Sequence, residues 1–465
     1  MSATASTIVA RLAGIAGDAY VIADPAGLDA YAIGGIRPAA AIRPGSPAEI
    51  SELIKFAVAE KLSVVPCGAR TKIEMGLPPR KYDLAIDITR MDRVIAYDPG
   101  DLTLSVEPGI PLKKLSAVLA EQGQFLPLSV PFFQLATLGG TIASAVDSPL
   151  RQFYGTPRDF VLGMEFVTGD GTLAKSGGRV VKNVTGYDLH KLMIGAFGTL
   201  GVIAKINFRT FPLPRDARGF VATFRSAGAA LDLRARLARS PLRPLTLDIL
   251  SPGVSPIFYS DAAARIDPNP LPPGLLSPEL WAFTCGFAGT EKVLARCETE
   301  VRAMAAPSGA VSISILSDRQ VHAAFARKRE FVPIALASSP AAVVLKVGVL
   351  PSKMNDALKE VEAAANSESL RWAALARGVG VIYVALLPDA QSDETRMRVS
   401  RASTRIQDAC EKAGGQATIP WCPIDWKAGL KVWGTERGDL PLMRKLKSVF
   451  DPQGILSPGR FVGGL

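Results

Sequence analysis

Histidine is scarce in this sequence, with two residues among 465, His190 and His322. Two isolated imidazoles exclude the histidine clusters that most metal sites and many acid–base mechanisms use. The five cysteines form no CxxC pair, and their odd number argues against a disulfide framework or a zinc site. We therefore expect no metal and a protein of a reducing compartment, the cytoplasm.

Two nucleotide-binding motifs and the usual membrane signals are also missing. No GxGxxG follows a first strand and no P-loop is present, so neither a Rossmann dinucleotide site nor an NTPase is supported. The first twenty residues have no basic region ahead of an apolar one, which argues against a signal peptide. The most apolar stretch, residues 331–350, contains two prolines and a lysine, so we expect protein core and no transmembrane segment.

The overall composition of the chain is that of a folded protein. Hydrophobic residues make up 48% of the chain and charged residues 21%, which excludes disorder. At about 100 to 200 residues per domain, the length predicts two to four domains. The formal charge of +10 favours anionic ligands, acidic protein faces or anionic lipid, and we expect no nucleic acid.

Strand and helix patterns predict an α+β protein. A strand near residues 41–43, a helix that begins at Ser46 and Pro47, and a strand over residues 62–66 form a β-α-β unit. Further strands and a glycine-rich segment predict a second subdomain before the prolines of residues 211–214, which favour a connector. The predicted segments are an N-terminal helical segment (1–35), two subdomains (36–130 and 131–213), a cap (214–425) and a C-terminal segment (426–465).

The cap has its own repeating pattern. Between residues 214 and 425, strand, helix and strand recur four times. Hydrophobic strands and helices in this order pack most simply as an antiparallel sheet covered by helices on one face.

Four glycine-containing segments outside the repeats are candidate ligand sites. They are residues 66–71, 136–143, 195–203 and 450–460. Glycine lets the main chain approach a diphosphate closely and point successive N–H groups at it. Taken singly, each segment fits a turn with positive φ better than a ligand contact.

In combination, these segments resemble a known family. Their order, the motif GRVVKNVTGYDL at residues 178–189 and the tail at 450–465 are similar to the FAD-binding domain of the p-cresol methylhydroxylase (PCMH) and vanillyl-alcohol oxidase superfamily. Within it, the chain most resembles the FAD-binding (E) subunit of glycolate oxidase. The resemblance covers residues 36–213 and 425–465 well and the middle loosely. It implies a two-subdomain PCMH-type FAD-binding domain over residues 36–213, an α+β cap, and a C-terminal segment that returns to the FAD domain.

The resemblance also implies a set of cofactor contacts. FAD would be bound without a covalent bond, with its diphosphate along the first two glycine segments and its adenosine half along the third. The implied contact residues are Pro66, Cys67, Gly68, Ala69, Arg70, Thr71, Thr137, Leu138, Gly139, Gly140, Thr141, Ala143, Gly198, Gly201, Val202 and Ile203.

The sequence departs from the family pattern at three places. Arg70 stands where the family usually has glycine, Ser144 and Ala145 stand where it tends to have Thr-Asn, and Ser457 replaces an asparagine. We do not expect an arginine to adopt positive φ easily, although its guanidinium could reach a phosphate oxygen.

A catalytic base is hard to find. Oxidation of a 2-hydroxy acid requires a group that removes the hydroxyl proton while the flavin is reduced. Related catalytic flavoproteins carry a histidine cluster in the cap, and the corresponding strand here, residues 378–383, contains none. Asp188, Glu330 and Tyr383 are the remaining candidates, and each has a plain structural alternative. We expect His190 at the surface or in a cap, and His322 on a solvated helix face.

Three functions remain open at this point. The first is an accessory FAD subunit of a glycolate or other 2-hydroxy-acid oxidase complex, beside a catalytic flavoprotein subunit and an iron–sulfur subunit, in the cytoplasm or at the inner membrane through its partners. The second is a self-sufficient dehydrogenase of a small 2-hydroxy acid, with Arg327, Arg329 and Lys346 as candidate carboxylate anchors. The third is a flavin-free scaffold subunit.

Overall fold

The computed structural model describes residues 3–179 and 186–465. Residues 180–185, the centre of the motif at 178–189, lie outside the described residues. Within the described ranges, no helix is both long and apolar enough to cross a bilayer.

The first sheet follows the predicted β-α-β pattern. Its elements are α1 (Ala3–Ala16), β1 (Val21–Ile22), α2 (Pro25–Asp29), β2 (Ala40–Ile42), α3 (Pro47–Ala59), β3 (Val64–Cys67) and β4 (Leu84–Asp87). The strand order is β1-β2-β4-β3, and β2 and β3 both run parallel to β4. Helix α3 begins where predicted, because Ser46 Oγ accepts a hydrogen bond from Glu49 N at 3.1 Å.

The second sheet is antiparallel and has the strand order β5-β6-β10-β8-β9. The elements of this region are β5 (Val94–Asp98), β6 (Thr103–Val106), α4 (Leu112–Ala120), β7 (Gln124–Phe125), α5 (Leu138–Ser144), α6 (Arg151–Tyr154), α7 (Pro157–Phe160), β8 (Val161–Val167), β9 (Leu173–Gly177), α8 (His190–Met193), β10 (Val202–Arg209) and β11 (Phe211–Pro212).

Strands β5 and β6 belong to this second sheet, although they precede the subdomain boundary expected near residue 130. Strand β6 pairs with β10, which lies about a hundred residues further along the chain. Strand β11, in the expected connector, pairs with β7. Pairing partners this distant in sequence leave no local pattern, so the sheet to which a strand belongs could not be read from the sequence.

The cap is built on an eight-stranded antiparallel sheet with the strand order β15-β12-β14-β13-β17-β18-β16-β19. Its elements are β12 (Ala217–Phe224), α9 (Ala227–Arg239), β13 (Thr246–Leu250), α10 (Val254–Phe258), α11 (Asp261–Ile266), β14 (Trp281–Ala288), α12 (Glu291–Ala305), β15 (Ser312–Leu316), α13 (Asp318–Arg329), α14 (Phe331–Ala337), β16 (Val343–Gly348), α15 (Met354–Ser367), β17 (Arg371–Arg377), β18 (Val381–Leu387), α16 (Asp393–Lys412) and β19 (Gln416–Trp421).

Helices cover both faces of this sheet, so the expectation of a single covered face was wrong. The long helices α9, α12, α15 and α16 share one hydrophobic core with one face. The short helices α10, α11 and α14 pack on the other face. Phe132 and Phe197 of the FAD-binding region also pack against this second core, so the second face looks toward that region.

The C-terminal segment runs back to the first sheet. After α17 (Leu440–Phe450), Leu456 forms a parallel bridge with Val64 of β3. Val64 N donates to Ile455 O at 2.8 Å, and Ser457 N donates to Val64 O at 2.7 Å. The tail thus lies beside the strand that leads into the first glycine segment.

Candidate functional site

One cavity brings together all but two of the residues expected to contact FAD. It lies between the ends of β3, α5 and β10 and holds about 770 Å³ of space, its open mouth included. Cofactor pockets span about 300 to 1,000 Å³. The expected residues that line it are Pro66, Cys67, Gly68, Ala69, Arg70, Thr71, Thr137, Gly139, Gly140, Ala143, Gly198, Gly201, Val202 and Ile203.

Leu138 and Thr141 do not line the cavity. Both are buried in α5, where Leu138 packs in the core of the second sheet. The Thr141 hydroxyl donates to Thr137 O at 2.9 Å. The second glycine segment is therefore the first turn of a helix, and only one side of it faces the cavity.

The first glycine segment supplies a row of unpaired N–H groups. Within the described residues, the N–H groups of Gly68, Ala69 and Thr71 have no acceptor. The same holds for Gly140 N at the start of α5. A Cβ at residue 68 would collide with the hydroxyl of Thr137, so only glycine lets the two segments approach this closely. These N–H groups can cradle an anion.

Arg70 adopts the left-handed conformation that we did not expect of it, with φ 61°. Its side chain explains how it is held there. Arg70 Nη1 donates to Asp87 Oδ2 at 3.0 Å, and the guanidinium carbon lies 4.4 Å from the centre of the Tyr31 ring. The protein thus holds the guanidinium through Nη1, while Nε and Nη2 make no hydrogen bond within the described residues.

The third glycine segment closes the cavity from the β10 side. Gly198 has φ 68°, and a Cβ there would lie 2.8 Å from the Pro66 side chain. The preceding Phe197 ring stacks on Phe461 at 5.4 Å between ring centres and meets Trp433 edge-on at 5.1 Å. The C-terminal tail thus supports this wall.

Six further residues line the cavity and were not among the expected contacts. Phe197, Ser144 and Arg460 lie within or beside the glycine segments, so closer attention to those segments could have found them. Lys72 and Ile73 directly follow the first segment. Ile88 follows β4 and carried no sequence signal. The six residues are Lys72, Ile73, Ile88, Ser144, Phe197 and Arg460.

The three departures from the family pattern share one backbone feature. Arg70, Ala145 and Ser457 have φ 61°, 45° and 47°. Glycine and asparagine, the residue types that the resemblance leads one to expect at these positions, tolerate the left-handed region best.

We expect Ala145→Gly to stabilise the protein by about 0.5 to 1 kcal/mol, because Ala145 ends α5 in the left-handed conformation. The shift in the urea midpoint measures the change. Ala117→Gly in the exposed part of α4 is the matched control and should destabilise by a similar amount. A loss of stability in both variants would contradict the strain argument.

The candidate bases are all occupied by structural contacts. Asp188 is exposed and pairs with Lys191 at 2.8 Å, outside the cavity. Glu330 accepts hydrogen bonds from Phe132 N at 2.7 Å and Phe133 N at 3.2 Å, which joins the cap to the FAD-binding region. Tyr383 OH accepts from Asp147 N, and burial raises the pKa of this phenol.

The two histidines lie away from the cavity. His190 was expected at the surface or in a cap; it is buried at the start of α8, and its Nδ1 lies 3.0 Å from Ser176 Oγ. Burial lowers the pKa of His190. His322 is exposed on α13, as expected. In the described part of the chain, no group of three or more acidic, histidine or cysteine side chains could hold a metal ion.

Two of the three candidate carboxylate anchors are engaged elsewhere. Arg327 donates to the main-chain oxygens of Phe258 and Asp267 at 2.6 and 2.9 Å. Arg329 pairs with Glu330 and lies 4.4 Å over the Phe133 ring. Lys346 on β16 faces Tyr383 of β18 and has no hydrogen-bond or ion-pair partner among the described residues.

Comparisons with known proteins decide the family. A model described as an FAD binding domain matches residues 38–177, and one described as the C-terminal domain of FAD linked oxidases matches residues 213–418 and 433–461. The chain belongs to the FAD-linked oxidases. It is an FAD-dependent oxidoreductase, and FAD is the cofactor expected from the sequence.

Relatives and solved structures agree with this family. The glycolate oxidase subunit GlcD of Bacillus subtilis is 24% identical over 91% of this chain and 88% of its own length. The subunit GlcE of Escherichia coli is 38% identical over 35% of this chain and 47% of its own length. Substrate-bound p-cresol methylhydroxylase superposes with a TM-score of 0.78 at 17% identity, covering 99% of this chain and 97% of that one. The predicted PCMH-type α+β fold is thereby confirmed.

The cavity of this FAD-linked oxidase fits its cofactor. Unpaired main-chain N–H groups from two segments converge on it, at positions where glycine removes the Cβ that would fill the space. Neither histidine nor tyrosine lines the cavity in the described residues, and burial raises the pKa of the Cys67 thiol. A neutral thiol is a poor nucleophile, so nothing in the cavity favours covalent attachment of the flavin.

Proposed function

We propose that this chain is the FAD-binding subunit of a glycolate (2-hydroxy-acid) oxidase complex. In this role it transfers electrons or supports assembly beside a catalytic flavoprotein subunit and an iron–sulfur subunit. It would act in the cytoplasm or peripherally at the inner membrane through those partners. The names of the two glycolate oxidase relatives support the proposal, since both are subunits of a larger enzyme.

One observation carries the accessory role. The cavity accommodates a flavin, yet no carboxylate or imidazole among the described residues lines it. Glu330 and Tyr383, which lie between cap and FAD domain, already accept main-chain hydrogen bonds. Removing a hydroxyl proton needs an available base within hydrogen-bonding reach, and the described residues that line the cavity offer no carboxylate or imidazole for this.

The proposal assigns a place to each part of FAD. The diphosphate lies against the N–H groups of Gly68, Ala69, Thr71 and Gly140, which have no acceptor of their own. The adenosine half lies along residues 201–203 of the third segment. The bound cofactor would supply the redox chemistry, whereas the chain supplies main-chain donors and a contact with the cap.

Anaerobic spectroscopy of the purified chain tests the proposal. We expect a yellow protein with extractable FAD whose absorbance does not bleach on addition of glycolate or D-lactate, but does bleach with dithionite. Bleaching by either hydroxy acid alone would contradict the accessory role. A colourless preparation that takes up no added FAD would contradict the cofactor role and favour a scaffold.

A self-sufficient 2-hydroxy-acid dehydrogenase is the second candidate, and Lys346 favours it. This lysine lies between the domains without a partner, and burial lowers its pKa while Asp147 opposes that shift. Arg377, on the same side of the sheet, is already paired with Asp147 and Asp248, at 3.7 and 2.7 Å. An unpaired ammonium group can bind a carboxylate. If glycolate or D-lactate reduces the flavin, Lys346→Met should raise KM at least tenfold with little change in kcat.

A further inference from the structure

Three cationic side chains line the described cavity, and two of them are held by contacts within the protein. Arg70 binds Asp87 and stacks on Tyr31. Arg460 donates to the main-chain oxygens of Ile73 and Met75, the latter at 2.8 Å. These contacts hold both guanidinium groups in place, although some N–H groups of each have no acceptor among the described residues.

Lys72 is the third cation, and it keeps donors free. Its Nζ makes one hydrogen bond, to Thr71 Oγ1 at 3.3 Å, and lies 6.0 Å from the centre of the Phe132 ring. An ammonium group has three N–H donors, so two remain. The nearest carboxylate that influences it, Glu330, is already satisfied by Phe132 N, Phe133 N and Arg329 Nε.

The charge of Lys72 is only partly balanced in the protein. Removal from water lowers the pKa of this lysine to about 8, and the carboxylate of Glu330 opposes the shift. Near neutral pH the ammonium form therefore predominates. A half-buried cation with spare donors is stabilised by an anion that binds beside it.

Lys72 also lies at the end of the cavity that faces the cap. Phe132, beneath its ammonium, packs against the second core of the cap, and Glu330 itself belongs to the cap. The proposed adenosine wall at residues 201–203 lies on β10, inside the sheet of the FAD domain. With the adenosine half along residues 201–203, the isoalloxazine ring would lie toward the cap end of the cavity, beside Lys72.

We propose that Lys72 is the cation that neutralises the negative charge of the reduced isoalloxazine ring. The proposal rests on the proposed placement of FAD. Reduction adds two electrons, delivered by the reduced flavin of the catalytic subunit, and one proton from solvent, so the neutral ring gains one negative charge. Lys72 keeps its proton throughout and stabilises that charge electrostatically.

Lys72→Met and Lys72→Arg test this role in the FAD-loaded protein. Methionine keeps the length of the side chain without the charge, and arginine keeps the charge. Two readouts report charge at the ring: the dissociation constant for sulfite, which adds to N5 and makes the ring anionic, and the two-electron midpoint potential. FAD content and FAD affinity are measured in parallel.

We expect Lys72→Met to retain FAD with an affinity within about threefold of wild type. Its sulfite dissociation constant should rise at least tenfold. The equilibrium constant for two-electron reduction of its flavin should fall about tenfold, which lowers the midpoint potential by about 30 mV. Lys72→Arg should restore both values to within threefold.

Two outcomes would overturn the assignment of Lys72. One is an unchanged sulfite constant and potential in Lys72→Met. The other is loss of FAD from that variant with recovery in Lys72→Arg, which would make Lys72 a diphosphate ligand. Failure of the proposed function would be seen in the wild-type protein instead. That protein would then be colourless, or glycolate alone would bleach its flavin.

Discussion

Gly140→Asp is expected to abolish FAD retention while the protein remains folded. Gly140 lines the cavity in the first turn of α5, and its N–H has no acceptor. A carboxylate there would face the diphosphate at short range. Two unit charges 4 Å apart repel by about 4 kcal/mol near a protein surface, which corresponds to roughly a thousandfold loss of affinity. Flavin absorbance per mole of purified protein measures the loss.

The Gly140→Asn variant separates the effect of the added charge from that of the added side-chain volume. The added Cβ would lie 3.2 Å from Thr137 Oγ1 in either variant, so both carry the same small steric cost. We expect Asn to weaken FAD binding by at most about tenfold, and both variants to unfold within about 1 kcal/mol of each other without cofactor. Retention of FAD by Gly140→Asp, or equal loss in both, would contradict the placement of the diphosphate.

Local chemistry made the beginning of the fold predictable from sequence. Ser46, Pro47 and Glu49 specified the start of α3, because an N-cap hydroxyl and a proline at the first helical position act within four residues. The pairing of β6 with β10 was not predictable in the same way. It depends on the packing of hydrophobic faces that meet only after the chain has folded.

In the candidate site, too, features set by local sequence were predictable and features set by distant contacts were not. Glycine-rich turns identified most of the main chain that surrounds the cavity, since a close approach of backbone requires glycine wherever it occurs. Arg70 was mispredicted because its left-handed conformation is supported by Asp87 and Tyr31, which are distant in sequence. Lys72 was missed because a long side chain after a turn can point in many directions, and only its packing on Phe132 fixes one.

Lys447→Met is expected to destabilise the protein by about 3 to 5 kcal/mol. Lys447 Nζ binds Asp451 Oδ2 at 2.6 Å and donates to Thr199 O and Leu456 O at 2.8 and 2.7 Å. The Asp451 side chain is fully buried, so loss of the lysine leaves a buried carboxylate without its counter-charge. The urea midpoint and slope of the cofactor-free protein give the free energy of unfolding.

The same lysine connects the C-terminal tail to the cavity, because Thr199 follows Gly198 and Leu456 pairs beside β3. Lys445→Met, on the exposed side of α17, is the matched control and should change stability by less than about 0.5 kcal/mol. In Lys447→Met with Asp451→Asn, no unpaired charge remains, so we expect the double variant to be more stable than Lys447→Met alone. A loss below about 1 kcal/mol in Lys447→Met would mean that the tail is held by its main-chain pairing with Val64 and not by this ion pair.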